Sequence, residues 1–303
     1  MGGEPLSARD VLRDATEYAA TRAAERGVAL TFSLTTNGTL LTPDDAEFFE
    51  AHGFAVTISL DGVGEVHDRL RPFRSGAGSF ARLMTRVQPL LDLQRRMQVG
   101  ARVTVTPRNL DLLATLEHFI AAGFHSVGFS PLLRSSNGVG ELGPDDMAAL
   151  LDQMIACGLA FEQAVLAGRR YPFANMLNAL RELQRGTHRP YPCGAGAGYL
   201  AVSAGGELAA CHRFVEDPVG AMGSLDGGVD ASAQSRWLAS RHVHRQEPCS
   251  CCWARYLCGG GCHHEVLARG RNACEFIRGW LHYVIQAHGR LERVAPGGAA
   301  GLR

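Results

Sequence analysis

The sequence has no surplus of either charge: 30 Lys plus Arg stand against 30 Asp plus Glu in 303 residues. That removes the basic stripe by which a nucleic-acid binder is recognised. No run of about 18 uninterrupted apolar residues is present, so no membrane span or membrane partner is expected. The first ten residues, MGGEPLSARD, carry neither a basic n-region nor an apolar h-region and do not read as a secretion signal. A cytoplasmic location with reduced thiols follows as the expectation. The nine cysteines are an odd number, which argues against complete pairing into disulfides and toward metal binding. What remains is ordinary for a globular protein: 46% apolar and 20% charged residues, and length for one large domain or two smaller ones.

Along the chain, apolar residues spaced at 3.6 predict a helix over 7–26, closed by Gly27. A strand over 28–35 and a turn at Asn37-Gly38 follow. A short helix over 43–52 carries Asp44 and Asp45 in its first turn, where the helix dipole favours them. Then come strand 54–60, a long loop, helix 79–96, strand 99–106, helix 109–122 and strand 125–131. Strands alternating with helices predict βα units and a parallel sheet. Near-continuous apolar runs predict that helices cover both faces of that sheet. After a polar, glycine-rich linker at 134–143, helices are expected over 144–168 and 173–185. Beyond Pro190 and Pro192 the character changes. Short β segments at 199–203 and 207–210 flank a hairpin signal at Ala204-Gly205-Gly206, a cysteine-rich loop region follows, and a helix covers 275–292. The tail APGGAAGLR reads as disordered.

The cysteines carry the strongest chemical signal. Cys249, Cys252, Cys258 and Cys262 stand as C-x2-C-x5-C-x3-C within CSCCWARYLCGGGC. Cys193 and Cys211 precede them and Cys274 follows. Thiolates at this density are soft ligands for zinc or for iron–sulfur clusters. One tetrahedral zinc uses four of them, and seven suit two clusters. A zinc ribbon with scattered core cysteines is the competing reading. Cys157, in an apolar helical stretch, reads as a core residue. Cys251 falls outside the pattern. His263, His264 and Glu265, just past the cysteines, read as a solvated helix start.

In this pattern the chain resembles radical S-adenosylmethionine (SAM) enzymes that carry a C-terminal SPASM domain. The resemblance implies a first auxiliary 4Fe–4S cluster on Cys193, Cys211 and Cys262. It implies a second on Cys249, Cys252, Cys258 and Cys274. Gly2-Gly3-Glu4-Pro5 resembles the family's GGEP motif, whose groups receive the amino group of SAM. Thr35-Thr36-Asn37-Gly38 and Ser59-Leu60-Asp61-Gly62 stand at the ends of the next two strands, where parallel α/β barrels place their sites. By the same resemblance Ser59 contacts the SAM ribose or carboxylate, Arg71 the carboxylate, and Leu132 the adenine, with Asp61 in the same motif. On the residues alone, Arg71 is a surface ion pair and Leu132 plain core.

The family holds its SAM-cleaving cluster with C-x3-C-x2-C upstream of GGEP, and no such triad stands in these 303 residues. The fold expectation is therefore a partial (β/α)6 barrel lacking its first βα unit over 1–134. A linker and helices follow over 135–192, then a small SPASM iron–sulfur domain over 193–292 and a tail over 293–303. An N-terminal truncation is expected, with the SAM-cleaving cluster present only in a longer form and the given chain inactive alone. The local wording CGAGAGYLAVSAGGELAACHRF resembles maturases that form thioether crosslinks, closest to the quinohemoprotein amine dehydrogenase type. The resemblance implies reductive cleavage of SAM, hydrogen abstraction from a peptide or protein substrate and capture by a substrate thiolate. A flavodoxin or ferredoxin would supply electrons. Anaerobic sulfatase maturases, a related reading, carry an acidic base where His212 stands; His212 is the candidate base here. A non-catalytic iron–sulfur or zinc module that binds peptides is the alternative from a different class.

Overall fold

The computed structural model describes residues 3–135, 137–186 and 188–294. Gly2 of the expected SAM motif and the tail from 295 lie outside the described residues. The chain divides into two compact units, one of Gly2–Asn178 with Leu291–Arg303 and one mainly of Ala179–Arg290.

The first unit opens with a short 3-10 turn over Pro5–Ala8, then α1 (Arg9–Arg26), closed by Gly27 at φ 63°. Next comes β1 (Ser33–Thr36). The strand expected from residue 28 begins at 33, because Val28 and Leu30 stay exposed without a neighbouring strand. β-rich composition without a partner does not form a ladder. α2 (Pro43–His52) carries a capping box in which Thr42 and Asp45 satisfy each other's backbone donors. β2 (Ala55–Leu60) follows, then α3 (Glu65–Leu70) inside the expected loop, too short to show a helical period. α4 (Phe80–Leu93) stops short of 96: the Glu50 carboxylate gathers the N–H groups of Arg95, Arg96 and Met97 and turns the chain into β3 (Gln98–Val105). α5 (Leu112–Ala121), β4 (Ser126–Pro131), α6 (Pro144–Leu166) and α7 (Ala174–Gln184) complete this part, with the division between units falling within α7.

β1 to β4 form one parallel sheet in chain order. Its burial alternates along β1 to β3 and through Phe129 of β4. Leu34, Val56, Ile58, Leu60, Val99, Val103, Val105 and Val127 are buried on one face. The opposite face carries Thr35, Thr57, Ser59, Gly100, Arg102, Thr104, Ser126, Gly128 and Ser130. The expectation of a sheet covered on both faces is thus corrected. One face packs a core, and the other is a polar floor assembled by register.

α6 is long and apolar enough, by length and composition, to cross a membrane. In the fold its Met147, Leu150, Met154, Cys157 and Phe161 are buried, a spacing of three and four that marks one packed helical face.

The second unit holds β5 (Ala201–Val202), β6 (Glu207–Ala209), β7 (Ala221–Ser224) and β8 (Gly228–Val229) in an antiparallel sheet. Around it lie α8 (Ala231–Arg241), α9 (Arg255–Cys258), α10 (His263–Arg269) and α11 (Cys274–Val294). The hairpin β5–β6 stands where the glycine signal places it, with Gly206 at φ 83°. β7, β8 and α8 were not expected; strands of two to four residues leave no alternation to read. The core here is small: Ala195, Leu208, Ala210, Cys211, Phe214, Met222 and Trp237.

Candidate cluster and cofactor sites

Three loops bring the first group of thiols together. Cys193 follows Pro192, Cys211 follows the end of β6, and Cys262 caps α10. The Cys211 thiol is raised above its ordinary value, by burial first and then by the charges of Cys262 and Cys193. Tyr199 is pushed up to about 12 by burial and by the charges of Cys193, Cys211 and Cys262. Its hydroxyl stands 4.0 Å from the Cys193 sulfur.

A glycine enforces this approach. Gly259 adopts φ 71°, and a Cβ there would lie 2.3 Å from the Tyr191 carbonyl and 2.4 Å from the Pro192 nitrogen. Only a residue without a side chain lets the 258–262 loop lie against the backbone leading into Cys193.

The second group comprises Cys249, Cys252, Cys258 and Cys274. Burial raises the Cys249 and Cys274 thiols, and each feels Cys258 and Cys252 as like charges. Arg271 opposes that rise at both. It is held in place by donating to the Glu247 and Gly260 carbonyls at 3.0 and 2.7 Å and to the Gln246 side chain at 2.7 Å. Arg278 opposes it at Cys274 and bonds the Cys252 side chain. A fixed guanidinium beside several thiols favours the thiolate form that binds metal.

Among the described residues, no three His, Cys, Asp or Glu side chains are placed to hold a single metal ion. Zinc at about 2.3 Å from each thiolate draws the sulfurs to about 3.8 Å from one another. Cys251 is exposed and donates to the Pro248 carbonyl, outside both groups. Cys157 is fully buried in α6 and its thiol is pushed up to about 12, chiefly by burial.

The start of α10 corrects one expectation. His263 and Glu265 are only 4% and 8% exposed, so this is no solvated helix start. His263 packs edge-on against Trp237, 5.3 Å between ring centres, and is lowered to about 4 by burial and by Arg241. Glu265 pairs with Arg213. His212 is exposed, directly after Cys211.

In the first unit, the carboxylate of Glu4 ties the chain start to the end of β1. Its Oε1 accepts from Thr36 Oγ1 at 2.6 Å and the Leu6 N–H at 3.2 Å; its Oε2 accepts from the Asn37 N–H at 2.8 Å. Among the described residues Oε2 therefore keeps one acceptor position. A Cβ on Gly3 would meet nothing within 4 Å, so the space beside it is open. Asp61 is buried and accepts from Arg71 Nε at 2.5 Å and the Thr104 N–H at 3.0 Å. Its backbone is clamped by His67 and by Asn109. Arg71 thereby points its fork along a fixed direction, with its Nη1 uncommitted among the described residues. Ser59 lies on the polar floor, in register with Arg102. Leu132 is half-buried, fixed through its backbone to Val105 and Leu142.

Sequence reasoning missed Arg102, Tyr199, Asn175 and Arg271. Arg102 is an exposed cation in mid-strand, and a charge at an alternate position of an otherwise apolar strand was the available signal. With Thr57, Ser126, Ser130, Asn175 and Asn178 it lines a cavity of about 350 Å³ over the floor. Asn175 is oriented by two bonds to the Phe129 backbone.

No family model matches the chain. It is 29% identical over 299 residues to an uncharacterized protein of Archaeoglobus fulgidus, covering 91% of this chain and 66% of that protein. It is 26% identical over 285 residues to the serine-type anaerobic sulfatase-maturating enzyme of Klebsiella aerogenes, covering 90% of this chain and 67% of that enzyme. The chain thus spans about two thirds of the length of these relatives. Native anSMEcpe with bound AdoMet and Kp18Cys peptide superposes with a TM-score of 0.78 at 18% identity, covering 97% of this chain and 84% of that one. The α/β fold with its parallel sheet matches that structure.

Proposed function

We propose that this chain acts within a radical SAM/SPASM maturase of a peptide or protein substrate. In this reading Cys193, Cys211 and Cys262 hold one auxiliary 4Fe–4S cluster, and Cys249, Cys252, Cys258 and Cys274 hold a second. The observation that supports the reading is that Cys211 lies close enough to Cys193 and Cys262, and Cys249 and Cys274 close enough to Cys252 and Cys258, to feel their charges, while Cys157 is buried elsewhere in α6. Such clusters supply one-electron transfer, and SAM supplies the radical chemistry of this enzyme class.

The chain's own residues bind and orient. The open acceptor position on Glu4 Oε2 suits an ammonium group, and Gly3 leaves room for it. Arg71, braced by Asp61, offers its remaining guanidinium nitrogen to a carboxylate. Ser59 stands on the polar floor in register with Arg102, which lines the cavity. Leu132 offers an apolar edge suited to an adenine ring. Three thiols in the first group leave one iron without a cysteine from that group, a position a substrate thiolate could fill. A low-potential electron carrier would serve as partner.

Iron and sulfide analysis after anaerobic reconstitution tests the reading. About eight irons and eight sulfides per chain are expected. Cys211→Ala and Cys274→Ala should each remove about half. One zinc and no sulfide would replace this reading with a zinc-bearing module.

Two finer readings divide on the substrate. The local cysteine wording and His212 in place of an acid favour thioether formation. The names of the relatives favour sulfatase-type maturation. A serine-bearing peptide without cysteine separates them, since a thioether requires a substrate thiol. Conversion of that peptide by protein purified from its native cells would select the sulfatase-type reading.

A further inference from the structure

Outside the thiol groups, the second unit carries a cavity of about 440 Å³ between β7 and α8. One face of α8 supplies Ala233, Arg236, Trp237, Ser240 and Arg241, spaced as one helical stripe. Pro218 and Val219 form the opposite wall, and Val219 is 59% exposed.

The charges in this cavity are unbalanced. Arg236 makes no ion pair or hydrogen bond among the described residues. The Arg241 guanidinium lies 5.9 Å from the Trp237 ring centre and donates to Ser240 Oγ at 3.3 Å, and no carboxylate among the described residues pairs with it. Burial and the nearby charge of Arg271 both lower its pKa, as a cation without a counter-ion requires. The single lining carboxylate, Asp230, is spent on the N–H groups of Ser232 and Ala233 at the start of α8. The chain has no lysine at all, so arginine as a residue type singles nothing out. Two uncompensated guanidinium groups in one concavity do.

We propose that this cavity binds an acidic peptide segment, with side-chain carboxylates on Arg236 and Arg241 and an adjacent apolar side chain on Pro218 and Val219. Guanidinium forks match carboxylate geometry, and the exposed apolar wall suits a peptide better than a free inorganic anion. The inference does not depend on the reaction proposed above. Trp237 floors the cavity and belongs to the core that holds Cys211, so its fluorescence reports occupancy.

Calorimetric titration of the full chain with acetyl-Val-Glu-Val-Glu-amide, its glutamine counterpart and inorganic phosphate tests the proposal. Saturable binding of the acidic peptide is expected, with the glutamine peptide at least about tenfold weaker, a difference of about 1.4 kcal/mol. Arg236→Glu, at an exposed position, should abolish binding while Arg108→Glu, an exposed charge reversal in the other unit, leaves it unchanged. Arg241→Lys keeps the charge, loses the fork and should weaken binding. Circular dichroism checks that each variant folds. Equal binding of the glutamine peptide, an unaffected Arg236→Glu protein, or displacement of the peptide by equimolar phosphate would each overturn the proposal.

Discussion

Single residues set the chemistry of the thiol groups, and two of them make sharp tests. Gly259 is where two stretches of backbone meet. An alanine there must adopt positive φ, costing about 1 kcal/mol, and must also push back the Tyr191 carbonyl. Gly259→Ala should therefore destabilise the second unit by more than about 2 kcal/mol and lower bound iron, read by chemical denaturation and metal analysis. Cys157 tests the opposite case. Its thiol is pushed up to about 12, chiefly by burial, and it is sealed in the face of α6. In iron-free protein, iodoacetamide should label Cys193, Cys251 and Cys262, which are exposed, and spare Cys157 until the first unit unfolds. Mass mapping of the alkylated peptides reads this directly. Labelling of Cys157 at the rate of Cys251 would show that α6 does not pack as described.

At the scale of elements, α2 shows how a local signal and a distant contact combine. Thr42 and Asp45 close the capping box, and Asp45 then receives Arg9 Nε at 2.8 Å and Arg13 at 3.4 Å from α1. Burial by itself would raise the Asp45 carboxyl, but the bonds from Arg9 and Thr42 outweigh it and hold the group below the ordinary carboxylate range. A depressed carboxyl stabilises the fold above its unfolded pKa, and that contribution is lost as pH falls through the lower, folded value. Asp45→Asn should thus cost about 2 kcal/mol at neutral pH, and the gap to wild type should close under acid denaturation. The acids at 44 and 45 were legible as a helix start; the arginines that meet them were not, because nothing local pairs residue 9 with residue 45. The same limit explains the rest. The helices of the first unit from ten residues up and the four parallel strands could be read from period and spacing. α3, β7, β8 and α8 could not, being too short or too weakly patterned. The open sheet face was misread because Thr, Ser and Gly between apolar residues look like interruptions in a strand, whereas they form one continuous polar floor. In the site, the cysteines were legible as a set because their density is improbable; Arg102, Tyr199 and Arg271 became visible only through register and proximity.

For the whole molecule, the two units rest on different sources of stability. The first has a parallel sheet of four strands with long helices and a buried face of aliphatic and aromatic residues. That is enough apolar burial for an ordinary domain. The second has strands of two to four residues and a compact core in which one buried member, Cys211, is itself a proposed ligand. Segments with so little apolar area depend on added staples, and bound metal is such a staple. If the thiols hold the proposed clusters, binding free energy becomes folding free energy for Ala179–Arg290 and contributes little to the unit ending at Asn178. Removing iron with an anaerobic chelator should therefore act unequally. Limited proteolysis of the stripped protein is expected to cut first between 187 and 262, in the loops that carry Cys193, Cys211 and Cys249. A fragment ending just beyond α7 should persist, with the helix and strand signal of the first unit intact. Iron-loaded protein should resist cleavage at the same sites. If the stripped protein kept full resistance there, the thiols would not be the principal support of the second unit, and its small core would have to suffice alone.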